Sequence, residues 1–524
     1  MSRALCSLLL LAAIVSRAER PNVLFIMSDD HAAHALSCYG SKVNSTPQLD
    51  RIAKEGTRFE NAFVTNSICT PTRAVLLTGK YSHLNGVPVF NRFDGSQQTV
   101  SKLMQAAGYH TGMIGKWHLG TDPTGFDRWI ILPGQGIYRD PQFLAPSVRL
   151  TIEGHCSDVT GNLGIEFLET RPKDKPFFLM LHYKAPHRSW EPAERHRQEW
   201  KDRVIPEPAT LFDNYETRPA ALPENEQTIA NDLTRRDLKL EPPADLKGPA
   251  RQQWFNGKPM EVEITLIDGT RKTLTGKDLV KWKYQRYMQD YLACVQGVDE
   301  SVGQVLDYLE KSGLAKNTVV IYTADNGFYL GDMGMYDKRF MYEPGLHVPL
   351  LVRGPGIKAG AVTDLFALDV DLAPTFLDLA GAAVPADMQG RSLAPVLHGE
   401  KPADWRTAMY YRYYHDPGHH NTRAHLGVRS ATHKLIHFWK KDAYELYDLQ
   451  ADADEQKNLA NDPGSAKKLA EMKDLLARVK VEAKDDDRFA NEFPKDGVDA
   501  NFGDKKAQGI KSVAEAIALS AVAR

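Results

Sequence analysis

Residues 67–73 read Ser-Ile-Cys-Thr-Pro-Thr-Arg, which sets Cys69 one helical turn ahead of Arg73. Threonine followed by proline marks a helix start, with Thr70 as N-cap, Pro71 as first helical residue and "TRAVLLTG" continuing the helix. Cys69 then lies at the helix mouth, where free backbone N–H groups and the helix dipole favour an anion, and Arg73 can fold back to the same spot. A cysteine so placed is either a thiolate nucleophile or a structural residue. Two other pairs carry chemistry. Asp29-Asp30 and Asp325-Asn326 offer only oxygen donors and three formal negative charges, a set that suits Ca²⁺, or Mg²⁺, rather than zinc or copper. His31 follows the first pair, but an imidazole is a poor calcium ligand, so packing or hydrogen bonding is expected of it.

Such residues act together only if the fold gathers them. Four apolar runs deliver polar residues at their ends: "NVLFIM" into Asp29-Asp30, "HTGMIG" into Lys116-Trp117-His118, "PFFLMLHYKAP" into His187, and "TVVIYTA" into Asp325-Asn326. Short continuous runs of this kind read as strands buried on both faces. Helical stretches are predicted between them at 47–55, 98–107, 160–169 and 283–311. Strands alternating with helices give an α/β domain around a mostly parallel sheet, whose ligands bind beyond the carboxyl ends of the strands.

The 524 residues exceed one ordinary domain, and 42% hydrophobic content excludes wholesale disorder. A formal net charge of -2 and the lack of a basic stripe along the sequence exclude nucleic acid as an expected partner. Residues 1–18 read as a cleaved signal peptide: Arg3, an apolar run from Ala4 to Val15, and small Ser16 and Ala18 before Glu19. About 12 apolar residues fall short of the roughly 20 a membrane span needs, so the expected location is secreted or periplasmic. Beyond Cys6, the widely spaced Cys38, Cys69, Cys156 and Cys294 form no disulfide framework or zinc knuckle, leaving at most one or two ordinary bridges.

"CTPTRAVLLTGKYSH" fits C-x-P-x-R and resembles the signature of the type I sulfatases, a likeness extending over roughly residues 21–460. The resemblance implies an alkaline-phosphatase-like fold and conversion of Cys69 to formylglycine, an aldehyde, by a separate maturation enzyme. It assigns Asp29, Asp30, Asp325, Asn326 and modified residue 69 to the metal, and Arg73, Lys116, His118, His187 and Lys338 to catalysis. The three cations suit a sulfate and the charge developing on it, and the histidines suit proton transfer near neutral pH. The implied reaction is attack on sulfur by the hydrated aldehyde, protonation of the departing oxygen by His187 or Lys338, and sulfate expulsion assisted by His118. Further segments, among them "DKRFMYEPGLHVPLLVRGPG" and "HKLIHFW…YELYDL", resemble the N-acetylglucosamine-6-sulfatase and mucin-desulfating group. That implies a sulfated glycan substrate carrying 6-O-sulfated N-acetylglucosamine; a galactose, uronic acid or algal polysaccharide sulfate is the alternative. The chain departs from the group at Pro344-Gly345 and at Asn326.

The catalytic domain is expected over 19–400, with a proline-rich insertion at 203–280 over the active-site face. A smaller α+β subdomain at 401–493 follows, with short aromatic strands in an antiparallel sheet and a helix at 464–480. Its loop "PGHHNTRAHLGVR" places His420 and His425 as substrate candidates. The tail at 494–524 is weakly patterned apart from a short helix near 510–522. Two rival readings remain at this level. A phosphatase or phosphodiesterase of the same architecture would use serine or threonine with zinc-binding histidines, which the oxygen-only donor set disfavours. A glycan-binding relic would show gaps among these positions, and none is missing.

Overall fold

The computed structural model describes residues 20–218, 220–266, 268–499, 506–510 and 512–522; the expected signal segment lies outside them. Its centre is an 11-stranded sheet. The four predicted strands are β1 (Asn22–Ser28), β2 (His110–Lys116), β3 (Phe177–His182) and β4 (Thr318–Ala324). They lie side by side in the order β4-β1-β3-β2, all parallel and buried along their whole length.

The reason for continuous apolarity is visible within β1. Leu24 and Ile26 enter the core on one face, with the long helix α1 (Gly276–Lys311) and the helix Cys156–Thr170. Val23, Phe25 and Met27 enter the core on the other, with residues Ala74, Leu76 and Leu77. A period-2 strand covered on both sides has no face left for polar residues until it ends. Outward from the four, antiparallel neighbours make the sheet mixed.

Three differences from the sequence reading have physical causes. The helix following the "SI" of 67–68 spans Cys69–Thr78, so Thr70 is no cap: Ile68 occupies the extended capping position, and its carbonyl accepts the bond from the Thr72 N–H. The Thr70 hydroxyl instead donates to the His118 carbonyl at 3.0 Å. The predicted helices at 160–169 and 283–311 begin earlier, at Cys156 and Gly276, the latter inside the stretch assigned to the insertion. The tail is not merely appended: Lys506–Gly509 pairs in parallel with the edge strand Val148–Thr151. Helix Val513–Leu519 buries Ala516 and Ile517 in the main core.

The C-terminal unit is as expected in kind. Strands Ala408–Tyr413, His425–Ser430, His433–Phe438 and Ala443–Asp448 form an antiparallel sheet in sequence order, and helix Ala466–Glu482 packs on it through Met472, Leu476 and Val479. All four described cysteines are free. Among the described residues, no helix is long and apolar enough to cross a membrane.

Candidate active site

The strand ends converge. Asp29 and Asp30 leave β1, Asp325 and Asn326 leave β4, and Cys69 opens its helix between them. One ligand atom each from Asp29, Asp30, Cys69 and Asp325 lies within 4.8 Å of the others, and all four residues are buried. Asn326 donates to Asp325 Oδ1 at 2.9 Å and Asp30 Oδ1 at 3.2 Å, which leaves its own Oδ1 buried without a hydrogen-bond partner. A buried carbonyl oxygen rarely stays unpaired. Three carboxylates and one orphaned amide oxygen around a common point fit a hard divalent cation.

Each carboxylate also has its own cation. Lys116 pairs with Asp29, Lys338 with Asp30, and Arg73 with Asp325 at 2.7 Å. Burial alone would raise Asp29, but Lys116, His187, Arg73 and Lys338 together hold it well below the usual carboxylate range. Asp30 is pushed up to about 7, by burial first and then by Asp29 and Asp325, against the pull of Lys338. Burial, with Asp29 beside it, also pushes the Cys69 thiol up. The unmodified Cys69 thiol donates to Asp29 Oδ1 at 3.2 Å.

Placement of these groups depends on tight backbone. Gly115, just before Lys116, has φ +94, and a Cβ there would sit 1.9 Å from the His182 carbonyl. Only glycine lets β2 come this close to β3 while turning Lys116 inward. Asp30, His118, Asp337 and Arg339 all adopt left-handed φ values of 67°, 50°, 72° and 93°, a concentration that marks functional sites.

The histidines frame the opening. His187 Nε2 is 3.8 Å from Asp30 Oδ2, while its Nδ1 faces the Arg188 carbonyl at 2.6 Å. Burial lowers its pKa well below normal, reinforced by Lys116. His118 is lowered to about 4, chiefly by burial, although its contact with Asp499 at 3.2 Å opposes this. Both imidazoles are neutral at pH 7 and able to accept a proton. His31 keeps away from the cluster, bonding Tyr322 Oη through Nδ1.

A cleft of about 420 Å³ opens over Cys69, with Asp30, His187 and Lys338 at its floor. His420 stands in the wall, its two nitrogens 2.8 Å from Asp232 and 3.0 Å from Asp337. His425 does not reach the cleft. It is fully buried, stacked between Phe340, Tyr411 and Tyr413, and both ring nitrogens are satisfied by the backbone of Arg423 and Met341. It opens the strand His425–Ser430, in which every residue but the last is buried.

Several cleft residues escaped the sequence reading. Asp337 and Arg339 flank Lys338 and pair with each other at 2.7 Å; their adjacency to a proposed site lysine was an available signal. Arg188, adjacent to His187, is tied to Asp237 at 2.6 Å, so the 203–280 segment does buttress the site. Gln135, which accepts from Lys116 at 2.5 Å, and Asp499, from the tail, had no local signal.

The Sulfatase family model matches residues 21–382, and a model of the N-sulphoglucosamine sulphohydrolase C-terminal region matches 331–482. An N-acetylglucosamine-6-O-sulfatase of Bacteroides thetaiotaomicron is 46% identical over 489 residues, covering 90% of this chain and 88% of the relative. The human N-acetylglucosamine-6-sulfatase is 26% identical, covering 85% of this chain and 82% of the relative. A solved sulfatase structure in complex with its substrate, D-glucosamine-2-N,6-O-disulfate, superposes with a TM-score of 0.84 at 44% identity, covering 90% of this chain and all (100%) of the other. A phosphonate monoester hydrolase of Agrobacterium radiobacter shares the fold at 22% identity, a TM-score of 0.66 and coverage of 88% and 96%.

Proposed function

The chain belongs to the sulfatase family, and on that premise we propose that it removes the 6-O-sulfate of N-acetylglucosamine in a sulfated glycan. It is a sulfuric ester hydrolase with the alkaline-phosphatase-like sulfatase fold, acting on sulfated glycan. The observation that carries the active-site reading is the buried cluster of Asp29, Asp30, Cys69 and Asp325 with the orphaned Asn326 oxygen beside it. The choice of sugar and position rests on the 46% identical relative and on the neighbour bound to a 6-O-sulfated glucosamine.

Asp29, Asp30, Asp325, Asn326 and residue 69 would hold a divalent cation, for which Ca²⁺ is the better match and Mg²⁺ the second, given oxygen donors alone. That ion supplies Lewis-acid stabilisation of the negative oxygens gathered at sulfur. Residue 69, converted from cysteine to formylglycine by a maturation enzyme, supplies in hydrated form one hydroxyl for attack and a second for release.

The other side chains have roles that follow from their positions. Three carboxylates balanced by Arg73, Lys116 and Lys338 leave the protein part of the site neutral, so a divalent cation would give it a net positive charge suited to a sulfate monoester. Lys338 Nζ lies 3.3 Å from Cys69 Sγ, placing its ammonium against whatever residue 69 binds. Lys338, an ammonium on the cleft floor, can give a proton to the departing sugar oxygen; His187, neutral with its Nδ1 on the Arg188 carbonyl, could do so only after taking up a proton at Nε2. His118, neutral at pH 7 and held through its Nε2 by Asp499, takes a proton in the release step. His420 forms part of the wall that a sugar ring would meet. The N-terminal pattern of residues 1–18, with a polymeric glycan as substrate, supports action outside the cytoplasm.

The test is to co-express the chain with a formylglycine-generating enzyme and measure sulfate release from N-acetylglucosamine-6-sulfate, with Cys69→Ala as control. Release abolished by the substitution supports both chemistry and sugar. Mass-spectrometric conversion of residue 69 without release would overturn the sugar and leave the sulfatase chemistry standing.

A further inference from the structure

At the opposite end of the sheet from the active site, a second cleft of about 500 Å³ opens around the starts of three central strands. Asn22 begins β1, Pro176 precedes β3 and Asn317 precedes β4, and all three line it. With β1 spanning seven residues, this cleft lies about 23 Å below the carboxylate cluster at ~3.3 Å per residue. Its walls carry Arg20, Arg171, Lys173, Lys175 and Lys316, against the single carboxylate of Asp174.

Among the described residues, most buried and half-buried arginines pair with a carboxylate, as Arg51, Arg188, Arg353 and Arg412 do. None of the five makes an ion pair among the described residues. Two lie over aromatic rings: Arg20 over Tyr109 at 5.3 Å and Arg171 over Phe177 at 5.5 Å. Both also donate to a backbone carbonyl, Arg20 to Ala107 and Arg171 to Leu168, yet Arg171 Nε is buried with no partner. Lys173 is anchored at 3.2 Å on the Leu168 carbonyl. Burial first, then the neighbouring Arg171, depresses its pKa, against the opposing pull of Glu169. The cleft thus sets five cations against one carboxylate in a chain whose net charge is only -2.

We propose that this basal cleft is a second binding site for the sulfated glycan, an anchor for polymer chains remote from the catalytic pocket. The inference rests on the sulfated-glycan reading above. Guanidiniums anchored over rings and nearby ammonium groups match the repeated sulfates of such a chain, in which charge recurs along a polymer. An anchor about 23 Å from the catalytic cluster cannot touch the reacting sugar. It raises the local concentration of chain ends and would matter for polymers alone.

The test uses the full chain with Cys69→Ala, so that binding is read without turnover, and with the catalytic pocket saturated by N-acetylglucosamine-6-sulfate. Calorimetric titration with heparin is compared for Lys173→Glu/Lys175→Glu/Lys316→Glu and for a control reversing three exposed lysines elsewhere, Lys42→Glu/Lys401→Glu/Lys467→Glu. The expected result is heparin binding weakened roughly tenfold or more by the basal triple and less than about twofold by the control. In formylglycine-bearing enzyme, the basal triple should leave kcat/KM for N-acetylglucosamine-6-sulfate unchanged while lowering it for the polymer. Equal weakening by both triples, or by neither, overturns the proposal. So does duplex DNA or unsulfated hyaluronan bound as tightly through the same lysines. An enzyme that is inactive on the monosaccharide, yet binds heparin through the basal cleft, would sink the assigned reaction and leave this site intact.

Discussion

Substituting Arg73 by lysine separates charge from geometry at the centre of the site. Arg73 is 2% exposed, and its guanidinium bonds Asp325 Oδ2 through Nη2 at 2.7 Å and Nε at 3.2 Å, while Nη1 reaches the Lys116 carbonyl and, at 3.3 Å, His182 Nδ1. Alanine is the wrong probe, because removing one member of a buried pair costs roughly 3–5 kcal/mol and would threaten folding itself. Lysine keeps the positive charge but has one nitrogen, so it cannot hold Asp325 and the Lys116 carbonyl together. Losing one or two charge-assisted hydrogen bonds, at about 1.5–3 kcal/mol each, frees both Asp325 and the strand end carrying Lys116. If about 3 kcal/mol of that falls on the transition state, kcat/KM drops by roughly 10²-fold. The assay is sulfate release from N-acetylglucosamine-6-sulfate by formylglycine-bearing Arg73→Lys enzyme, with thermal unfolding to show that the variant is folded. A variant that keeps kcat/KM within about threefold of the parent would refute the idea that the fork, rather than the charge, organises this site.

Chelation should abolish activity, Ca²⁺ should restore it better than Mg²⁺, and Asp325→Asn should weaken the Ca²⁺-dependent rise in melting temperature. His420→Ala should raise KM more than it lowers kcat, because His420 stands in the cleft wall rather than at Cys69; steady-state kinetics decide it. His425→Ala should instead destabilise the fold by about 2–4 kcal/mol while leaving KM unchanged, since it empties a buried aromatic stack; denaturant unfolding reads this. His118, ordinarily near 6.5, is held at about 4 by burial, so it stays neutral in the folded state while the unfolded chain takes up a proton. Stability contributed by this group is full above about pH 6.5 and falls on acidification towards pH 4, by about 1.4 kcal/mol per pH unit; His118→Gln should flatten that slope.

What is encoded locally was legible in the residues alone. A strand buried on both faces needs an unbroken apolar run, so the first polar residues after it, Asp29-Asp30, Lys116 and Asp325-Asn326, announce the carboxyl edge of the sheet. The C-x-P-x-R spacing likewise puts Cys69 and Arg73 on one helical turn. Charge type could then be read from residue type, and an oxygen-only cation site followed. Tertiary structure alone decided which cation meets which carboxylate, because Lys116–Asp29, Lys338–Asp30 and Arg73–Asp325 join residues far apart in the chain. It also separated His420 from His425: five residues apart in one histidine-bearing stretch, one faces the cleft and the other is sealed in an aromatic stack. Asp499 could not be foreseen beside His118, since nothing in a polar tail records that it crosses back over the active site. Nor could the basal cleft, whose five cations come from three separate segments of the chain. Local pattern carries burial and backbone preference; pairing across the fold depends on where distant elements end, and only packing fixes that.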